Sequence, residues 1–125
     1  MSLAELAMIA VDEHRIRDAL ALLRASLLIN HDLGDLYQTA LSLCRFARAL
    51  AVEGRAETAA VLVSRSEALN EEIGVRVRSV GARMNAETIT DIRAHLDEVA
   101  FLDAWERGRA LTVDEAVALA LDSVE

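Results

Sequence analysis

An all-α fold of antiparallel helix pairs is the architecture this sequence predicts, and three observations predict it. Hydrophobic residues fill 54% of the 125 positions but aromatics only 3%, so alanine and leucine carry most of the apolar content. Both are strong helix formers, whereas strands would ask for more β-branched and aromatic residues. No proline interrupts the chain, so nothing forbids long helices. The third observation is a recurrence: a shift of forty positions lays Arg15 on Arg55, Ala19 on Ala59, Leu22 on Leu62, Ser26 on Ser66, Asn30 on Asn70 and Gly34 on Gly74. A period of that size marks stacked helical units, each too small to bury its own apolar face.

The first helix is short, from Met1 to about Val11, and a turn at Asp12 to His14 puts His14 where Gly54 stands one period later. A full first helix would need as much chain as residues 35–53, so the array is expected to be truncated at its N-terminus, as a fragment would be. The second helix runs from Arg15 to Leu33 and offers Leu20, Leu23, Leu27 and Leu28. With only the short first helix to cover them, these leucines are expected to leave an apolar patch that pairs with a second copy in a symmetric homodimer.

Between Gly34 and Gly54, residues Leu36, Ala40, Leu43, Ala47 and Leu50 recur at helical spacing and form one apolar stripe. Gly54 stops that helix, because glycine accepts the left-handed conformation a helix end often requires. The next helix carries Ala56, Ala59, Ala60, Leu62, Val63 and Leu69 and ends at Gly74. So short a loop forces the two helices antiparallel.

After Gly74 the recurrence fades. Val75 to Val80 alternates like a strand but has no pairing partner, which predicts a loop leading into a helix. Ile89, Ile92 and Leu96 mark that helix, with Asn85 as its expected N-cap. A short helix with Phe101, Leu102 and Trp105 is expected to end near Gly108. In the last helix Thr112 and Glu115 have capping-box spacing, and Val113, Val117, Ala120 and Leu121 form its apolar face. Residues 1–74 therefore divide into two helix pairs, the first truncated, and residues 75–125 into divergent capping helices, all within one domain.

Several functions are disfavoured by composition. A net charge of −8 argues against direct nucleic-acid binding and against anionic membrane surfaces, both of which need clustered basic side chains. No apolar run reaches the roughly 18 residues of a bilayer span. The single cysteine, Cys44, cannot form an internal disulfide, which fits a cytoplasmic location. His14, His31 and His95 stand too far apart for a metal-ligand pattern. Cys44 lies mid-helix with no histidine near in sequence, and Ser64 and Ser66 belong to no nucleophile elbow. The acid pairs Glu71–Glu72 and Asp97–Glu98 point to different sides of their helices. The chain is expected to be non-catalytic, with no cofactor and no metal, and Trp105 is expected to pack in the core.

One stripe invites a partner. Tyr37, Leu41, Cys44, Arg48 and Val52 line up beside the core stripe of their helix. Tyrosine, arginine and apolar residues together suit an interface, although the same stripe would equally serve to pack on a neighbouring repeat.

The stretch "LAVEGRAETAAVLVSRSEALNEEIG" resembles the tetratricopeptide-like arrays of large bacterial signalling regulators. The matching residues are Gly54, Ala59, Ala60, Leu62, Glu67, Leu69, Glu72, Ile73 and Gly74, with Ser66 standing where such arrays commonly carry alanine. Ala104 to Leu121 resembles the segment that often closes these LuxR-type or cyclase-associated proteins, whose ATPase domain lies upstream of the repeats; no phosphate-binding loop occurs here. The resemblance implies a right-handed superhelical array in which the first helix of each pair lines a concave groove. The stripe from Tyr37 to Val52 would then receive a protein or peptide partner, making the chain the C-terminal interaction module of a transcriptional or signalling regulator. The alternative is an effector-sensing lobe that binds a small molecule in the groove and regulates an attached ATPase or cyclase.

Overall fold

The computed structural model describes residues 1–74 and 80–124, and side chains of the second stretch from residue 83 onward. These residues form seven helices: α1 (Leu3–Asp12), α2 (Ile16–Asp32), α3 (Leu36–Glu53), α4 (Ala56–Ile73), α5 (Val80–Arg93), α6 (Glu98–Ala110) and α7 (Val113–Asp122). No strand occurs among the described residues. The chain is all-helical there.

Left-handed residues punctuate the first four helices at a constant interval. His14, Gly34, Gly54 and Gly74 have φ of 60°, 69°, 94° and 77°, and each stands twenty positions after the last. The turns behind them share one hydrogen-bond pattern. His14 N–H donates to the Val11 carbonyl and Arg15 N–H to that of Ala10; Gly34 and Asp35 repeat this on His31 and Asn30, and Gly54 and Arg55 on Ala51 and Leu50. These nested bonds satisfy carbonyls that a helix end leaves bare. The residues that open α2 and α4 also share a conformation, Arg15 at φ −92°, ψ 65° and Arg55 at φ −91°, ψ 62°, and neither has a side-chain cap. Helices α1 and α3 instead begin at polar caps: Ser2 in a capping box with Glu5, and Asp35 accepting from Gln38 N–H.

Helices α1 to α4 pack each on the next in chain order, and α1 also reaches α3. The expected open leucine patch does not exist. Leu20, Leu23 and Leu27 are fully buried and Leu28 is half-buried. The reason is the composition of α1, whose inner face is Ala4, Ala7, Ala10 and Val11. Such small side chains let ten residues lie close on α2 while α3 covers it from the other side. Each leucine so buried contributes roughly 1.5–3 kcal/mol. The apolar residues that stay exposed are Leu6 and Ile9 on α1 and Ile29 on α2, with Leu33 just beyond it.

The last three helices depart from the reading at several points. Val75 to Ser79 of the expected loop lie outside the described residues, and Val80 already opens α5. Asn85 caps nothing: it sits inside α5, fully buried, and its amide donates to Ser66 Oγ at 3.1 Å. Helix α6 ends at Ala110, near Gly108 as expected, but Gly108 itself is not the stop. It lies within the helix where α6 crosses α4, and a Cβ there would clash with the Val61 carbonyl oxygen. Helix α6 begins at Asp97, which accepts from Ala100 N–H, and α7 begins at the Thr112–Glu115 capping box, as its sequence predicts.

These helices wrap the first four. Helix α5 lies over α3 and α4, α6 runs along α4, and α7 bridges α2, α3 and α4. Arginines secure the wrap. Arg65, almost fully buried, donates to the Leu111 carbonyl at 2.8 Å and pairs with Glu72, while Arg55 donates to the Ser123 carbonyl at 2.7 Å. His31 meets Asp114 at 2.8 Å, and Arg109 meets Glu71 at 3.0 Å.

Candidate functional site

The stripe on α3 is divided by the fold rather than left as one groove. Cys44 is fully buried, and its thiol donates to Ser66 Oγ at 3.3 Å. Burial pushes that thiol up from its ordinary pKa and favours its uncharged form as a packed group. Arg48 is drawn into an ion pair with Asp91 of α5 at 2.6 Å, and Val52 packs against the core. The cover is α5 itself. Among its described side chains Asn85, Thr88 and Ile92 are the buried ones, at steps of three and four, so they form one inward face. That spacing is present in the sequence, where a polar Asn85 has the character of a helix start and not of a buried contact.

The other end of the stripe remains accessible. Tyr37 is 42% exposed and Leu41 half-buried. One turn further stands Arg45, at the far border of this stripe from the core stripe. Arg45 lines a cleft of about 250 Å³ together with the first turn of α1, Ser26, Asn30 and Gln38. Its guanidinium is half-buried, and loss of water pulls its pKa down; Cys44, then Tyr37 and Glu5, oppose that shift. Among the described residues no carboxylate lies within ion-pairing distance of Arg45. Glu5, across on α1, is turned toward its own cap: the Ser2 hydroxyl and backbone hold its carboxyl below the usual range. Tyr37, Leu41 and Arg45 therefore offer an aromatic, an aliphatic and a cationic group along one open edge.

A second cleft, of about 380 Å³, opens between α4, α6 and α7. Val61, Leu111 and Leu119 supply its apolar wall, and the Glu57–Arg107 ion pair stands at its rim. The histidines are apart from both clefts: His14 in its turn, His31 on Asp114, and His95 on the Asp91 carbonyl at 2.9 Å. Among the described residues no three His, Cys, Asp or Glu side chains gather into a metal-binding group. Among them, too, no helix is long and apolar enough to cross a membrane. Trp105 is half-buried, its ring 5.5 Å from that of Phe101, so it packs at the border of the core and not within it.

No protein-family profile, no curated protein and no solved structure matches this chain.

Proposed function

We propose that this chain is a non-catalytic protein-interaction module, a tetratricopeptide-like right-handed array serving as the C-terminal repeat segment of a bacterial transcriptional or signalling regulator. The observation that carries the reading is the constant twenty-residue interval between left-handed turn residues, with Arg15 and Arg55 in the same backbone conformation forty positions apart. Turns of one geometry at one interval generate helix pairs that stack by one operation, and stacked pairs present extended surfaces to partners. The partner is a protein segment that meets Tyr37, Leu41 and Arg45 at the edge α5 leaves open. An acidic or hydroxyl-rich stretch would compensate the half-buried guanidinium.

Site-specific photocrosslinking in the native host tests this. A benzophenone side chain at position 37 is expected to capture a discrete protein, and Arg45→Glu to abolish the capture. The same probe at Ala118, an exposed residue of α7, serves as the reference. Equal labelling at the two positions would overturn the reading. The sensor alternative is favoured by the 380 Å³ cleft, whose size lies within the range of small-molecule sites. It predicts that a bound effector slows amide exchange in α7, while a partner at Tyr37 leaves α7 unchanged.

A further inference from the structure

Glu67 projects from α4 into a cleft of about 270 Å³ whose other walls are Ile89 and Arg93 of α5 and Phe101, Leu102 and Trp105 of α6. Its carboxylate is half-buried, and among the described residues it has no hydrogen-bond donor and no ion-pair partner. The charged groups around it are otherwise matched. Arg93 is held by both oxygens of Glu98, at 2.6 and 2.9 Å, while its guanidinium lies 4.4 Å over the Phe101 ring. Arg109 is paired with Glu71. The negative charge of Glu67 is what remains. Burial, with a smaller push from Glu71, raises its pKa above the ordinary carboxylate value. A carboxylate left without a partner among apolar side chains is costly unless a cation comes to it.

We propose that the cleft between α4, α5 and α6 binds an organic cation, an alkylammonium or alkylguanidinium, with the charged head on Glu67 and the apolar stem against Trp105 and Leu102. Phe101 is already covered by Arg93, so Trp105 supplies the free aromatic surface, and indole is the ring that attracts cations best. The cleft's volume admits a stem of a few carbons and not a large ligand. The site lies on different helices from the open edge at Tyr37 and stands or falls independently of the proposed function.

Trp105 is the only tryptophan of the chain, so its fluorescence and its indole N–H resonance report on this cleft directly. Titration of the intact protein with n-butylammonium chloride is expected to shift both signals saturably, and n-butanol, which has the stem without the charge, to shift neither. Glu67→Gln should weaken the cation at least about tenfold, since it removes a charged acceptor. Glu98→Gln, at an exposed position, leaves Arg93 uncompensated beside the cleft and should weaken it about threefold. Folding of each variant is verified by its helical circular dichroism. No saturable indole shift in the wild-type protein would overturn the proposal whatever the variants do, as would equal affinity for n-butylammonium in Glu67→Gln or an equal response to n-butanol. If a blocked lysine amide binds as n-butylammonium does, the cation is a partner's side chain; if only n-butylammonium enters, it is a free amine.

Discussion

The first four helices and the last three share one apolar core but are fixed in place by different added contacts. Helices α1 to α4 meet through small and aliphatic side chains, with Leu20, Leu23, Leu27, Leu43, Leu50 and Leu62 fully buried between them. Their turns share one backbone solution. Helices α5 to α7 have no common turn among the described residues. They share the apolar core through Ile92, Phe101, Ala104, Ala116, Val117 and Ala120, and are also tied to the first four by hydrogen bonds and ion pairs from long polar side chains: Arg48 to Asp91, Arg65 to the Leu111 carbonyl, Arg55 to the Ser123 carbonyl, Arg107 to Glu57. Ser64 donates to the Trp105 carbonyl in the same way. Apolar stripes specify that helices pack and leave their sliding loosely determined. A guanidinium aimed at one carbonyl specifies a position. The wrap is thus oriented by polar contacts over a core that apolar burial supplies.

This contrast predicts where substitutions hurt most. Leu27→Ala in the first region should cost about 3 kcal/mol, the usual penalty for a cavity at a fully buried leucine. Urea denaturation measures it, and a loss below about 1 kcal/mol would mean that α1 does not seal α2. Gly108→Ala should follow at about 2 kcal/mol, because overpacking against the Val61 carbonyl outweighs the helix propensity alanine adds. Here the backbone of α4 is the obstacle, so no side-chain rotation relieves it. A neutral effect in the same denaturation assay would show that α6 slides freely on α4.

Smaller effects probe the polar attachments and the turns. Arg65→Ala should cost about 1.5 kcal/mol by leaving the Leu111 carbonyl without its donor. Hydrogen exchange should show the loosening at the α6–α7 junction before it appears in α1 to α3. His14→Gly should stabilise the chain by about 0.5 kcal/mol, since relief of a left-handed histidine exceeds the entropy glycine adds to the unfolded state. A thermal melt is sufficient to see it. The smallest effect is a pH dependence at Glu67. Its folded pKa lies above the unfolded value of 4.5, so the folded chain binds the proton more tightly and ionisation opposes folding. Glu67→Gln should therefore raise the melting temperature at pH 7, and the advantage should shrink as the pH falls through the folded pKa toward 4.5. A constant difference from pH 7 to pH 4 would mean that Glu67 is not desolvated.

The helices and their breaks could be read from the chain alone because each depends on a few neighbouring residues. Left-handed geometry at Gly34, Gly54 and Gly74, and at His14 by its offset, follows from local dihedral preferences, and the Thr112–Glu115 box from spacing. Partnership could not be read that way. Asn85 has the composition of a cap, and only the arrival of Ser66 from α4 makes it a buried contact. Gly108 has the composition of a helix end, and only the crossing of α4 makes it a point of close approach. Leu20, Leu23 and Leu27 form an apolar face in any reading, but whether a second copy or α1 covers it depends on how near a backbone of small residues can come. Arg45 belongs to no stripe or motif and Glu67 only to the repeat pattern, and both become distinct only because the fold withdraws them from water without bringing a counter-charge within ion-pairing distance among the described residues. Propensity and spacing act over a few residues, whereas desolvation and packing are properties of the space between helices.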